Sequence, residues 1–179
     1  MLNIRKDKLE KIAVLAVYGL VFGTFPQAIA NTVAEEPVKV VKQVPVDPLE
    51  KYKGATKLSD TDLVGLLSAV GFEGKALKVA YAVAKKESNG RPLAHNGDRN
   101  TGDNSYGIFQ INMIDSLGAD RREKFNLKSN TQLFDPVINA KIAFFMTGGG
   151  EDWSSWKIVP GQNNGERYQQ YLKEFAGLY

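Results

Sequence analysis

The chain of 179 residues has no cysteine and only one histidine, His95. Without cysteine there is no thiol nucleophile, no disulfide and no thiolate zinc site. A single imidazole cannot form a two-histidine metal centre, so neither a metal nor a cofactor is expected. A basic surplus is also missing where it would matter. The net charge of +3 comes from the N-terminal third, because residues 59–179 carry fourteen basic and fourteen acidic side chains. A nucleic-acid binder places a basic field on its folded part, so no nucleic-acid partner is expected. Two glycine-containing stretches also fail as binding loops. Gly148-Gly149-Gly150 has no following Lys-Ser/Thr, so it is not a phosphate loop. In Asp98-Arg99-Asn100-Thr101-Gly102-Asp103 the glycine comes one place early for a calcium loop, and the twelfth position is Phe109.

What the N-terminus does have is an address. Arg5, Lys6, Lys8 and Lys11 precede an apolar run from Ile12 to Phe25, and Ala28-Ile29-Ala30 suits cleavage by a signal peptidase. No charge occurs over residues 12–34, so a retained membrane anchor is the alternative. Either way the remainder is expected to be exported, to the periplasm, envelope or exterior. Residues 31–58 read as a tether, with Pro37, Pro45 and Pro48 breaking any helix and Val-Lys alternation in between. Residues 59–179 then form one folded domain.

Within that domain helical signals dominate. Ser59 or Asp60 caps a helix through Leu63, Leu66, Leu67 and Val70, stopped by Gly71. A second helix is predicted over about residues 75–87. Residues 88–107 are rich in Gly, Asn and Asp and read as loop. A third helix follows Asn112, carrying Met113, Ile114 and Leu117. Asp135-Pro136 opens a fourth, through Ile138, Ile142 and Phe145, that ends flexibly at Gly148. A fifth covers about residues 166–175. No strand signal rivals these, so the class is mainly α. Trp153 and Trp156, three residues apart, are core residues or sugar-stacking aromatics.

The second helix carries the chemistry. Ala80, Val83, Ala84 and Glu87 fall at i, i+3, i+4 and i+7, which puts a carboxyl on the apolar face. Burial there, and the negative end of the helix dipole, both favour its protonated form. Lys85 and Lys86 are expected to point elsewhere. A carboxyl held as the acid can protonate a glycosidic oxygen. Periodicity alone also allows a glutamate that leans off the helix end into water.

The residues after it narrow the choice. Glu87-Ser88 is followed by Pro92-Leu93-Ala94, by Ser105-Tyr106-Gly107-Ile108-Phe109-Gln110-Ile111-Asn112, and by Asp135-Pro136-Val137-Ile138-Asn139. These blocks resemble the lytic transglycosylase and goose-type lysozyme superfamily. Members share a catalytic Glu-Ser, a Pro-x-Ala step, a Gly-x-x-Gly-hydrophobic-hydrophobic-Gln block and an Asp-Pro-x-x-Asn helix start. The resemblance spans roughly residues 75–175 and implies a single lysozyme-like domain of the α+β lysozyme superfamily. It implies Glu87 as the catalytic acid, acting on the β-1,4 bond between N-acetylmuramic acid and N-acetylglucosamine in peptidoglycan glycan strands. By the same resemblance Gln110 and Ser105 hydrogen-bond sugar, Tyr106 and Asn112 are candidate groove residues, and Gly107 lets backbone approach the substrate. Asn112 is alternatively a local cap, and Ser88 either orients Glu87 or caps. One departure stands out: Gln162-Asn163-Asn164-Gly165 puts glutamine where the family commonly carries a tyrosine that contacts the glutamate, with Tyr168 as a candidate substitute.

Glycosidases generally use two carboxylates, about 5–5.5 Å apart for retention or about 6.5–9.5 Å for inversion. Asp98 and Asp103 are the candidates, each equally explained as a turn former beside Gly97 or Gly102. The resemblance implies a route without a second one, in which the muramyl 6-hydroxyl replaces water and leaves a 1,6-anhydro end. That lytic route is the leading expectation. A hydrolytic muramidase, or a non-catalytic wall-binding or virion-structural module, is the alternative.

Overall fold

Ser59 starts the first helix by a reciprocal cap. Its hydroxyl accepts from Asp62 N at 3.1 Å, and its own N–H donates to Asp62 Oδ2 at 3.2 Å. The helix, α1 (Asp60–Val70), stops at Gly71, whose φ of 120° suits a residue without Cβ. These features belong to a computed structural model that describes residues 46–178. The signal or anchor read over residues 1–30, and the tether up to residue 45, lie outside the described residues.

The second helix, α2 (Gly74–Ser88), is the centre of the domain. Ala80, Tyr81, Ala82, Val83 and Ala84 are all fully buried, so this stretch is covered on every side. It ends with Asn89 in the left-handed region, and the Asn89 and Gly90 N–H groups return to Lys85 O and Ala84 O. Lys85 points away from Glu87, as expected. It is buried and reaches Asp60 Oδ1 at 2.8 Å, pinning α2 to the start of α1.

The stretch read as loop contains two strands too short to show a period. β1 (His95–Asn96) pairs antiparallel with β2 (Ser105–Tyr106), which pairs antiparallel with β3 (Ile111–Asn112). The third helix, α3, covers Asp115–Lys124, so Met113 and Ile114 precede it and Leu117 is exposed. The delay has a local cause: the Asn112 carboxamide accepts from Ile114 N at 3.0 Å, a turn that competes with helix. Asp135 caps α4 (Pro136–Met146), accepting from Val137 N at 2.8 Å and Ile138 N at 3.2 Å. Its buried face is Val137, Asn139, Ala140, Ile142 and Ala143, while Phe145 is exposed. The chain after α4 turns tightly rather than loosely, since a Cβ on Gly150 would lie 2.6 Å from that of Ala76. A last helix, α5 (Glu166–Ala176), packs along α2.

The core closes on aromatics. Phe72 stacks on Trp153 at 5.9 Å and meets Phe144 edge-on at 4.9 Å. Leu49 and Tyr52, in the stretch that composition assigns to the tether, are also buried in this core. The result is a mainly α fold with a small sheet. Among the described residues no helix is long and apolar enough to cross a membrane.

Removing the first cap with Ser59→Ala is expected to cost about 1 kcal/mol, read from the urea midpoint. The Ser59 hydroxyl, then the Ser59 backbone, hold Asp62 below the ordinary aspartate value. A depressed carboxyl stabilises the fold above its unfolded value and loses that contribution as pH falls through the folded one. The stability gap between wild type and Asp62→Asn is therefore expected at neutral pH and should close below about pH 4.

Candidate active site

The site is assembled around the turn Gly107–Gln110, which joins β2 to β3. Gly107 has a φ of 74°, and a Cβ there would lie 2.2 Å from Asn139 Nδ2 and 2.3 Å from Leu133 O. Its lack of a side chain thus admits Asn139 from α4. Asn139 is fully buried and spends its amide on this turn. Its Oδ1 accepts from Phe109 N at 2.9 Å, and its Nδ2 donates to Tyr106 O at 2.9 Å and Leu133 O at 3.0 Å.

Three other groups hold the same turn. Ser88 is buried and directs its hydroxyl to Ile108 O at 2.8 Å, so it ties the end of α2 to the turn rather than merely capping. Ala94 O accepts from Gly107 N at 2.8 Å and from Gln110 Nε2 at 3.1 Å. The Trp156 indole donates to Phe109 O at 2.7 Å. The sequence blocks that follow Glu87 are therefore mutual supports: each supplies one partner for a turn that cannot satisfy its own backbone.

Glu87 sits beside this turn, at the open end of the buried stripe of Ala80, Val83 and Ala84. Its side chain is 23% exposed. Lys86 does not point elsewhere: its ammonium donates to Glu87 Oε1 at 2.8 Å.

A polar cleft of about 420 Å³ opens in front of Glu87. Gln110, Ser105 and Asn112 line it with the glutamate. Tyr106 does not. Alternation along β2 turns it to the opposite side from Ser105, where its ring packs on His95 at 4.5 Å and Phe134 at 5.3 Å. Asn112 also holds the local turn, donating to Gly102 O at 3.1 Å and accepting from Asn104 N at 3.3 Å. The two aspartates part company. Asp98 is a turn former that accepts from Asn100 N at 3.0 Å. Asp103 lines the cleft with Glu87, and its carboxylate accepts from the Ser105 hydroxyl and from Asn96 Nδ2 at 2.6 Å.

Sequence reasoning missed the cations in this wall. Arg121 and Lys157 line the cleft with Lys86. Arg121 donates to Asn112 O, and burial lowers its pKa from the ordinary arginine value. Its helix is polar on every side, so no periodic signal singles it out. Trp153 is core, whereas Trp156 is buried but reaches the cleft edge. Tyr168 is also core, its hydroxyl pushed up by burial, and does not line the cleft. Gln162 is exposed and folds back on its own loop, with its carbonyl accepting from Asn164 Nδ2 at 3.0 Å. A larger cleft of about 820 Å³ lies beside Pro92 and Leu93. The one carboxylate in its lining, Asp60, is paired to Lys85, so it offers no acid for the chemistry.

Residues 65–158 match the family described as lysozyme like domain. The chain belongs to that family. No curated protein and no solved structure matches it. The lysozyme-like domain as matched includes Glu87, the turn at Gly107 and the cleft wall up to Trp156, and it ends before α5. Membership supports a glycosidase-type function directed at peptidoglycan.

Replacing Asn139 with leucine keeps most of the volume but strands Phe109 N–H and the Leu133 carbonyl in the interior and removes the bond to Tyr106 O. Each orphaned group costs about 1–3 kcal/mol. Asn139→Leu is expected to lose at least about 3 kcal/mol by urea unfolding, and Asn139→Asp much of that at neutral pH, because a buried carboxylate cannot donate.

Proposed function

We propose that the protein is a lytic transglycosylase that cuts the β-1,4 bond between N-acetylmuramic acid and N-acetylglucosamine, with Glu87 as acid and then base. The observation that carries the reading is the position of Glu87. It stands at the rim of a polar cleft, on a helix whose end is fixed by Ser88 to the turn bearing Gln110. A proton donor must be placed to within a few tenths of an ångström of the leaving oxygen, and this scaffold supplies such rigidity.

In the proposed reaction the glycan enters the cleft and takes the place of Lys86 beside the carboxyl. Glu87 then gives its proton to the glycosidic oxygen as the bond from C1 of the muramyl sugar breaks, with the sugar's N-acetyl group stabilising C1. The muramyl 6-hydroxyl next bonds to C1, and its proton passes to Glu87. No water is consumed, and the acid is regenerated. Gln110, Ser105 and Asn112 line the groove around the scissile bond.

One observation favours a hydrolytic route as a second reading. Asp103 shares the cleft with Glu87, so a carboxylate is present that could orient water. Both readings place the enzyme beyond the cytoplasmic membrane, released after cleavage near Ala30 or held by residues 12–34 on the segment that follows.

Purified cell walls digested with the protein separate these routes. The lytic route releases anhydro muropeptides, and hydrolysis releases products heavier by one water. Glu87→Gln is expected to reduce release at least about 1000-fold while leaving the thermal midpoint within a few degrees. Undiminished release by that variant would remove Glu87 from the reaction.

A further inference from the structure

Three asparagines in the domain precede a glycine: Asn89, Asn96 and Asn164. Such a pair readily loses the asparagine amide, because no Cβ shields the glycine nitrogen from the neighbouring carboxamide. In two of the three that nitrogen is occupied. Gly90 N donates to Ala84 O at 3.2 Å, and Gly165 N donates to Asn163 Oδ1 at 3.1 Å.

Gly97 differs because of strand register. Between β1 and β2, Ala94 O accepts from Gly107 N at 2.8 Å, and Asp98 O accepts from Asp103 N at 3.0 Å. Asn96, paired with Ser105, is the bonded position between these two, so Gly97 falls at an unbonded one and turns its N–H away from β2. β1 is an edge strand, and among the described residues Gly97 N has no backbone acceptor. The Asn96 side chain is exposed, and its Oδ1 accepts from Asp98 N at 3.4 Å, which folds the carboxamide back over the Gly97 peptide. Its Nδ2 donates to Asp103 Oδ2 at 2.6 Å. Asp103 and Ser105, the residues that Asn96 holds, line the cleft with Glu87.

We infer that Asn96 is a site of spontaneous deamidation, and that its conversion dismantles the cleft wall at Asp103. Gly97 N bonds to Asn96 Cγ, the Cγ–Nδ2 bond breaks, and ammonia leaves with the proton from Gly97. Water then opens the cyclic imide at either carbonyl, giving aspartate or isoaspartate. Water is the one co-reactant. Each product sets carboxyl oxygens where a donating amide stood, so acceptor meets acceptor at Asp103 and the bond is lost. Isoaspartate also lengthens the backbone of β1 and breaks its pairing with Ser105. The effect on glycan rests on the proposed function; the modification itself does not.

The test ages the full chain at neutral pH, folded and in parallel in urea, and maps it by peptide mass spectrometry with enzymatic methylation of isoaspartate. In the folded protein Asn96 is expected to convert at least about tenfold faster than Asn89 or Asn164, where a hydrogen bond to the glycine nitrogen must open first. In urea the three should convert at similar rates. Faster amide hydrogen exchange at Ser105 in the aged protein reports the opening of β1 without any glycan. Binding of soluble glycan strands is read in a Glu87→Gln background and should weaken at least about threefold on ageing, the loss of one hydrogen bond. Adding Asn96→Asp should weaken fresh protein in the same way. Asn96→Ser keeps an uncharged donor and has no amide to lose, so its binding should not change with age. Thermal unfolding of each sample guards against simple loss of fold. Conversion of Asn96 no faster than that of the other two in the folded protein overturns the inference, as does converted protein with unchanged exchange at Ser105 and unchanged binding. Conversion and faster exchange in a chain that binds no glycan even when fresh would count against the proposed function and leave the modification standing.

Discussion

The amide of Asn139 is the interaction on which the rest of the site depends. It lies within the interior and bonds backbone groups of Phe109, Tyr106 and Leu133, so one side chain ties the turn to the end of β2 and to the segment before α4. Gly107 exists in this arrangement to let that amide in. Ser88 then closes the circuit from the other side, because its hydroxyl binds the neighbouring carbonyl of Ile108. A carboxyl one residue before Ser88 therefore inherits the rigidity of a contact that begins on α4, about fifty residues later in the chain.

The same construction explains how a neutral domain can present a charged working face. Apolar burial fixes α2, with Tyr81, Val83 and Ala84 enclosed completely. The helix end must then carry whatever polar groups the site needs. Cations reach it from α3 and from the segment after Trp156, while most acidic residues stand at caps and turns elsewhere. Lys86 is the exception in being adjacent in sequence. Its bond to Glu87 gives the carboxyl a cationic partner from the same helix.

Much of the frame was legible because it follows from local chemistry. Ser59, Gly71, Asp135 with Pro136, and the glycines after Met146 are end signals, and the helices obey them. Glu87, Ser105, Gln110 and Asn112 were legible as a set through the family resemblance, and they do share one cleft. Other features were hidden for physical reasons. The two-residue strands have no period to detect, and a β2 register decides that Ser105 faces the cleft while Tyr106 faces His95. Met113 and Ile114 read as helix until the Asn112 carboxamide claims the Ile114 N–H. Arg121 and Lys157 carry no pattern of their own; only tertiary packing brings them to the acid. The buried Leu49 and Tyr52 show the same limit, since a proline-rich composition says little about which of its neighbours find the core.

The account stands on the claim that Glu87 meets the glycosidic oxygen in the cleft beside Gln110. A crystal structure of Glu87→Gln with a muramyl-containing glycan bound addresses that claim most directly. The account predicts the scissile oxygen within about 3 Å of the amide at position 87, with sugar hydroxyls or N-acetyl groups on Gln110 and Ser105. A glycan seated instead in the larger cleft beside Leu93, with position 87 untouched, would contradict it.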